Sequence, residues 1–490
     1  MGDSEAAASA AEIPTEPKEQ KHPGLRELFR YPLVSAIAER RTRRVARGVS
    51  ISAGPLSHES TNEPAPLSKL EEALLIASTG VTGVVNHDGP LFTVDGTKEL
   101  GTPFTKIIGR AGSSADNAQA TVFFMINDEG VWLIKPPKGR AALELLEGLP
   151  PDRQEWSEAD WIGFADAVKV KVYDERLELP RRFPYYHVWN KSLSNVPGTT
   201  IFLPFVDCTR GFLNIVMNLL SEPDGERPTF VDDWQKFRPK NLTEIGAWVA
   251  TGLGLVGQKI PYQPVGGIKW ARSGFTNPDI VIPLGLGHAW RLDYEALLLL
   301  QNLMLMGQGM GLGAWIHATV FPPYIYERDP AKGKFGLGFR ILTPEKKWAR
   351  WPPTPAPLPN PVGIDGVLEA LCPPYVSMDD VVDRMLEEKY GEEGAYGDKK
   401  LFAAPYRSPE QAEAFLKTAE PFSKKAIQYT KDICNYIFDT YGRFPAHVDA
   451  FYLPGVQVQF SLLELEYYDK YFAPRQYERQ KRHSELWGNS

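Results

Sequence analysis

Three clusters of residues in this chain have types and spacings that suit chemistry. In the first, Arg40, Arg41, Arg43, Arg44 and Arg47 fall within eight residues, with Thr42 among them. A guanidinium presents a fixed fork of donors that matches phosphate oxygens, so this stretch could bind a phosphate monoester. A solvated basic helix end is the plainer alternative. The second cluster runs from Arg110 to Gln119, directly before an apolar segment. Its small residues let backbone approach a flat ligand, and Ser113, Ser114, Asn117 and Gln119 supply donors and acceptors for ring nitrogens and oxygens. A polar loop of turn-forming residues would look the same. The third is Gln301–Trp315, where a long apolar run meets Gly309, Gly311 and Gly313. Such an end allows tight turning and close backbone contact with a cofactor at Gly311, Leu312 and Gly313. Its methionines also read as core filling. The order of elements is not that of a dinucleotide fingerprint, which needs a strand before the glycines and a helix after them.

Other positions carry weaker signals. His288 and His317 flank the apolar run, where either could donate a proton or serve a structural role. Tyr441-Gly-Arg-Phe-Pro-Ala-His-Val-Asp449, with Tyr452, Glu464, Glu466 and Asp469, could form a lid or a second site, and helix-end structure or subunit docking explains it equally. His447 and Asp449 suit a metal only with distant ligands. There is no HExxH, GxSxG, phosphate loop or EF-hand, so neither a resident metal nor a nucleophilic triad is expected. Cys208, Cys372 and Cys434 are far apart and form no CxxC pair, which suits buried thiols in a reducing, cytoplasmic compartment.

These residues need elements to hold them. Residues 25–47 read as helical, 48–66 as loop, and 67–79 as a helix with leucines at helical spacing. Residues 120–136 read as a β-hairpin around Asn-Asp-Glu-Gly. Helices are expected at 140–148, 157–172, 207–221, 242–257 and 292–310, with a buried strand at 278–284. Trp351–Gly363 is proline-rich and suits an extended linker. Beyond it, 377–391 and 408–442 read as helices. This divides the chain into a disordered tail (1–24), a core (25–350) enlarged at 140–290, a linker (351–363) and a mostly helical C-terminal extension (364–490).

The chain has 490 residues, 43% hydrophobic and 23% charged, enough to bury a large core. Its net charge of −7 argues against sequence-independent nucleic-acid binding. The N-terminal stretch has no signal-peptide pattern. The apolar stretch Ala296–Ile316 is interrupted by Gln301, Asn302, Gln308 and glycines, so no membrane span is expected.

Taken in order, the arginine cluster, the serine loop before a strand, and the long helix running into Gly-Leu-Gly resemble the FMN-dependent nitroreductase family. Arg40-Arg41-Thr42 is similar to that family's phosphate-contacting Arg-Arg/His-Ser segment. GRAGSSADNAQATVFFMI looks like its proline-serine-x-x-asparagine loop, with Ala111-Gly112 in place of the proline. DYEALLLLQNLMLMGQGMGLGAWI looks like its long helix and turn. PLSKLEEALLIASTGVTG is similar to the branch that oxidises azolines in modified peptides. The resemblance covers roughly residues 36–345. It implies an α+β fold with a central, mostly antiparallel sheet flanked by helices, and a homodimer. It implies FMN held by Arg40, Arg41, Thr42, Arg44, Ser113, Ser114, Asn117, Gln119, Gly311, Leu312 and Gly313, with Arg340, Lys332 and Lys334 placed to close the phosphate site. The expected activity is ping-pong electron transfer from NADH or NADPH to a small organic acceptor. A flavin-binding or interaction protein that keeps the fold without turnover is the alternative.

Overall fold

The computed structural model describes residues 20–81, 83–84, 91–92, 99–100, 108–109, 111–114, 118–221, 226–236, 245–246, 249–250, 252–255, 263–284, 293–320, 324–342, 360–417, 422–449 and 456–488. Residues 1–19, Asn117, His288, most of the proline-rich linker, Tyr452 and half of the expected 242–257 helix lie outside them.

The chain has an α+β fold built on a seven-stranded antiparallel sheet. Its strands are β1 (Thr121–Asn127), β2 (Gly130–Ile134), β3 (Lys169–Tyr173), β4 (Thr200–Asp207), β5 (Gly313–His317), β6 (His447–Asp449) and β7 (Gln457–Ser461). The order across the sheet is β5-β7-β4-β1-β2-β3, with β6 pairing the far end of β4. The expected hairpin is β1–β2, and its turn sets Asn127 opposite Gly130. Both faces of the sheet are buried, which explains why β1 and β4 are apolar on both sides. Phe123, Met125, Phe202, Val458 and Phe460 face one core. They meet three helices: α1 (Lys69–Ser78), α2 (Glu158–Ala167) and α3 (Asp293–Met310). Phe124, Ile126, Leu203 and Phe205 face a second core completed by Tyr186, Val320, Leu337 and Phe339.

Several expectations need correction. Pro32 interrupts the N-terminal helix, leaving helices Pro23–Arg30 and Leu33–Glu39 and an extended chain from Arg40 onward. The 157–172 segment turns into β3 after Val168, where the β-favouring Val170, Val172 and Tyr173 alternate with lysines. Strand Asn277–Pro283 is exposed along most of its length, because it lies at the edge of a small sheet, paired in parallel with Pro228–Asp232.

Residues 364–490 are largely helical but are not an appendage. Strand β7 stands inside the central sheet between β5 and β4, with Phe460 opposite both Ala314 and Thr200. Helices Val381–Tyr390 and Lys424–Tyr441 share a core with Phe212, Leu213 and Phe230 of the earlier chain. Within the proline-rich stretch, Asn360–Ile364 is itself a buried strand.

Candidate functional site

The arginine segment is held in place by strand-like pairing. Arg43 N–H donates to the Ala314 carbonyl at 3.1 Å, Arg47 N–H to Leu462 at 2.9 Å, and Glu464 N–H to Val45 at 3.1 Å. The Tyr468 hydroxyl accepts from the N–H groups of Arg44 (3.1 Å) and Val45 (3.3 Å). This pairing alternates the side chains. Arg43 and Val45 turn inward, whereas Arg41, Thr42 and Arg44 are exposed and Arg40 is half-buried. Burial pulls the Arg43 pKa below its ordinary value. Its Nη1 donates to the Thr42 carbonyl at 3.1 Å. Beside this segment opens a cleft of about 330 Å³ lined by Thr42, Arg43, Arg44, Leu56, Tyr467 and Phe472, with Tyr468 and Gln476 completing its wall. It therefore combines cationic donors with three aromatic rings.

The serine loop sits at the other end of α3. The Ser114 hydroxyl donates to Glu295 Oε2 at 2.5 Å, and the Gln119 N–H donates to Ser114 Oγ at 3.0 Å. Glu295, in the first turn of α3, also accepts from the N–H groups of Ala120 (3.3 Å) and Thr121 (2.7 Å). Glu295 thus ties the serine loop to the start of α3 through one hydroxyl and two backbone donors. Ser113 is exposed, and Gln119 is half-buried with φ of 50°. Helix α3 has 18 residues, so its length of about 27 Å separates the serine loop from the glycine turn.

The glycine turn faces the chain's own C-terminal segment, not a cleft. Arg479 Nε donates to the Gly309 carbonyl at 3.1 Å, Gln480 Nε2 to Leu312 at 3.4 Å, and His483 Nδ1 lies 2.9 Å from the Met310 carbonyl. These side chains satisfy carbonyls that the end of a helix leaves unpaired. Gly311 has φ of +83°, and a Cβ there would lie 2.8 Å from the Arg479 carbonyl oxygen. Leu312 is core, and a Cβ on Gly313 would strike Leu463. The turn at Gly311–Gly313 thus needs glycine for helix capping and chain packing.

The remaining positions scatter. Arg340 lies on a separate three-stranded sheet and pairs with Asp365 at 2.6 Å. Lys332 pairs with Asp329 at 2.8 Å and Lys334 with Glu327 at 2.6 Å. None of the three lines the arginine cleft. His317 is buried in β5, stacked on Trp315 and bonded through Nδ1 to Thr319 at 2.6 Å. Burial pushes its pKa down to about 3, which leaves it neutral and unsuited to donating a proton. Tyr441 and Tyr436 both donate to the buried Asp232, so the start of the 441–449 motif serves the core around Phe212, Leu213 and Phe230. His447 and Asp449 belong to β6 and pair by backbone with Asp207 and Phe205.

One constellation escaped the sequence reading. His58, Glu464 and Glu466 place ligand-type atoms within 4.8 Å of one another. His58 and Glu464 stand about 400 residues apart, so no local spacing could reveal the group. Searches against protein-family models, curated proteins and solved structures return no match to this chain. Among the described residues, no helix is long and apolar enough to cross a membrane.

Proposed function

We propose that this chain is an FMN-dependent oxidoreductase of the nitroreductase type, working as a homodimer on a small organic substrate with NADH or NADPH as electron donor. The observation that carries the reading is the cleft where exposed Arg44 and Thr42 meet Tyr467, Tyr468 and Phe472. Arginine forks suit a phosphate monoester, aromatic walls suit a planar ring, and the volume is at the lower end for a small-molecule site. Bound flavin supplies two-electron chemistry at its ring, so the chain's own residues need only hold, orient and shield it. Arg44, with Arg40 and Arg41, would hold the phosphate, and Ser113 and Gln119 would meet the ring.

The 27 Å length of α3 keeps these two groups apart within one chain. A dimer resolves this if the serine loop of one subunit meets the arginine segment of the other. Leu33, Val34 and Ile37 on the second N-terminal helix, and Leu297 and Leu298 on α3, are all more than 40% exposed and offer an apolar surface for such pairing. The covering of Gly311–Gly313 by residues 479–483 favours a second reading, a flavin-binding protein without turnover.

The test is spectroscopic, then kinetic. FMN added to the purified protein should be retained through gel filtration, with its absorption bands perturbed. Oxidation of NADH or NADPH with quinone and nitroaromatic acceptors should follow. Protein that stays colourless and takes up no FMN would end the proposal, whereas uptake without turnover would select the second reading.

A further inference from the structure

The loop from Ala46 to Asn62 folds around one carboxylate. The Glu464 side chain is fully buried. Its Oε2 accepts from Gly48 N–H at 2.8 Å and from the Ser60 hydroxyl, and its Oε1 accepts from Asn62 Nδ2 at 2.8 Å. A carboxylate oxygen has two acceptor positions. Oε2 is therefore saturated, and Oε1 keeps one position open. All three donors are neutral, so they solvate the charge without cancelling it, and a buried charge calls for a cationic partner.

His58 stands at the open position. Its side chain is 7% exposed, and its buried Nε2 makes no hydrogen bond. Nε2 lies 3.6 Å from Glu464 Oε1, beyond hydrogen-bond range. That distance is close to another one. Ligands around a tetrahedral zinc, at bonds of about 2.0–2.2 Å, sit about 3.4 Å apart. Glu466 is exposed and brings a third ligand atom within 4.8 Å of the other two. The Tyr467 ring stands edge-on to the imidazole at 5.8 Å and limits its reorientation.

We propose that His58, Glu464 and Glu466 bind a divalent transition-metal ion, for which zinc is the best fit. One imidazole and two carboxylates suit that class of ion. Three protein ligands leave a fourth position for water or an anion, the pattern of an open site. Leu56 and Tyr467 line the arginine cleft, so the ion would sit beside it. The inference does not depend on flavin binding.

The experiment uses the full chain stripped with chelator, equilibrated with Zn²⁺ or Co²⁺ and passed through gel filtration. Wild-type protein should retain about one ion per chain, and Co²⁺ should give the intense visible bands of a tetrahedral site. His58→Gln and Glu466→Gln should each weaken binding by at least about 100-fold, since even outer-sphere partners of metal ligands are worth 10–100-fold. Glu466 is exposed, so Glu466→Gln should melt like wild type in the absence of metal, and it keeps the test open if His58→Gln fails to fold. Wild-type protein that retains no metal would overturn the proposal, as would a folded Glu466→Gln variant that binds as tightly as wild type.

Discussion

Replacing His483 with glutamine should destabilise the protein by about 1–3 kcal/mol at neutral pH, the usual cost of leaving a buried polar group without its partner. His483 Nε2 lies 2.7 Å from Glu71 Oε1, and both side chains are almost wholly buried. Nδ1 faces the Met310 carbonyl at 2.9 Å, so both ring nitrogens stand opposite oxygen atoms. Glu71 also closes the capping box of α1, accepting from Ser68 N–H at 2.7 Å. Burial acts to raise the Glu71 pKa. The hydrogen bond and charge of His483, with the Ser68 bonds, outweigh burial and hold it below the ordinary carboxylate value. A carboxyl whose folded pKa is lowered adds stability above its unfolded pKa, about 4.3, and loses it as pH falls through the folded value. In the variant, burial is opposed by the Ser68 bonds alone, so the Glu71 pKa should rise from its wild-type position. The variant's deficit should therefore be largest near pH 7 and shrink toward about 1 kcal/mol, the worth of the lost bond to Met310, as pH falls below about 4.3 and through the folded value. Urea unfolding followed by tryptophan fluorescence at several pH values measures this difference. A deficit below about 1 kcal/mol at pH 7, or one that does not change with pH, would refute the reasoning.

Three further outcomes follow from the geometry. Arg44→Ala should weaken FMN binding by about 10- to 150-fold, the worth of a charge-assisted hydrogen bond of about 1.5–3 kcal/mol. Because Arg44 is exposed, its melting temperature should stay unchanged; fluorescence titration and thermal melts separate the two effects. Gly311→Ala should destabilise by about 2 kcal/mol or more, because alanine at φ of +83° is strained and its Cβ would lie 2.8 Å from the Arg479 carbonyl; faster proteolysis after residue 470 would report release of the C-terminal cap. His317 has a folded pKa depressed to about 3, so native protein should lose stability as pH falls below about 6.5, where the unfolded chain takes up the proton first. His317→Gln should flatten that part of the urea-stability profile, and an unchanged slope would count against a buried neutral ring.

The elements with local signatures were legible in the sequence. The Asn-Asp-Glu-Gly turn marked β1–β2, leucine spacing marked α1, and a long apolar run marked α3. The central place of strand β7 was not legible, because the alternation of Gln457, Val458, Gln459 and Phe460 suits a strand with one face in solvent. In the fold both faces are covered, and Gln459 is buried because it accepts from Asn195 N–H at 2.8 Å and donates to the Leu193 carbonyl at 2.9 Å. Arg40–Arg44 were read as helical from composition, yet Pro32 and pairing with distant residues 314 and 462–464 set them extended. The glycine turn shows the same limit. Its residue types matched a cofactor contact, but the group that approaches it is the backbone of Arg479.

The place of β7 in the sheet bears on how the chain comes off the ribosome. Its neighbours β4 and β5 are complete about 250 and 140 residues before it is made. Until then, each exposes an open edge that β7 will later fill. Pairings of such long sequence separation form slowly, and unpaired strand edges invite association with other chains. A nascent or truncated chain ending before residue 457 would carry two apolar strand edges that only a partner, a chaperone or another copy could cover. Soluble yield should therefore fall abruptly when truncation passes Gln457, and not gradually with the length removed.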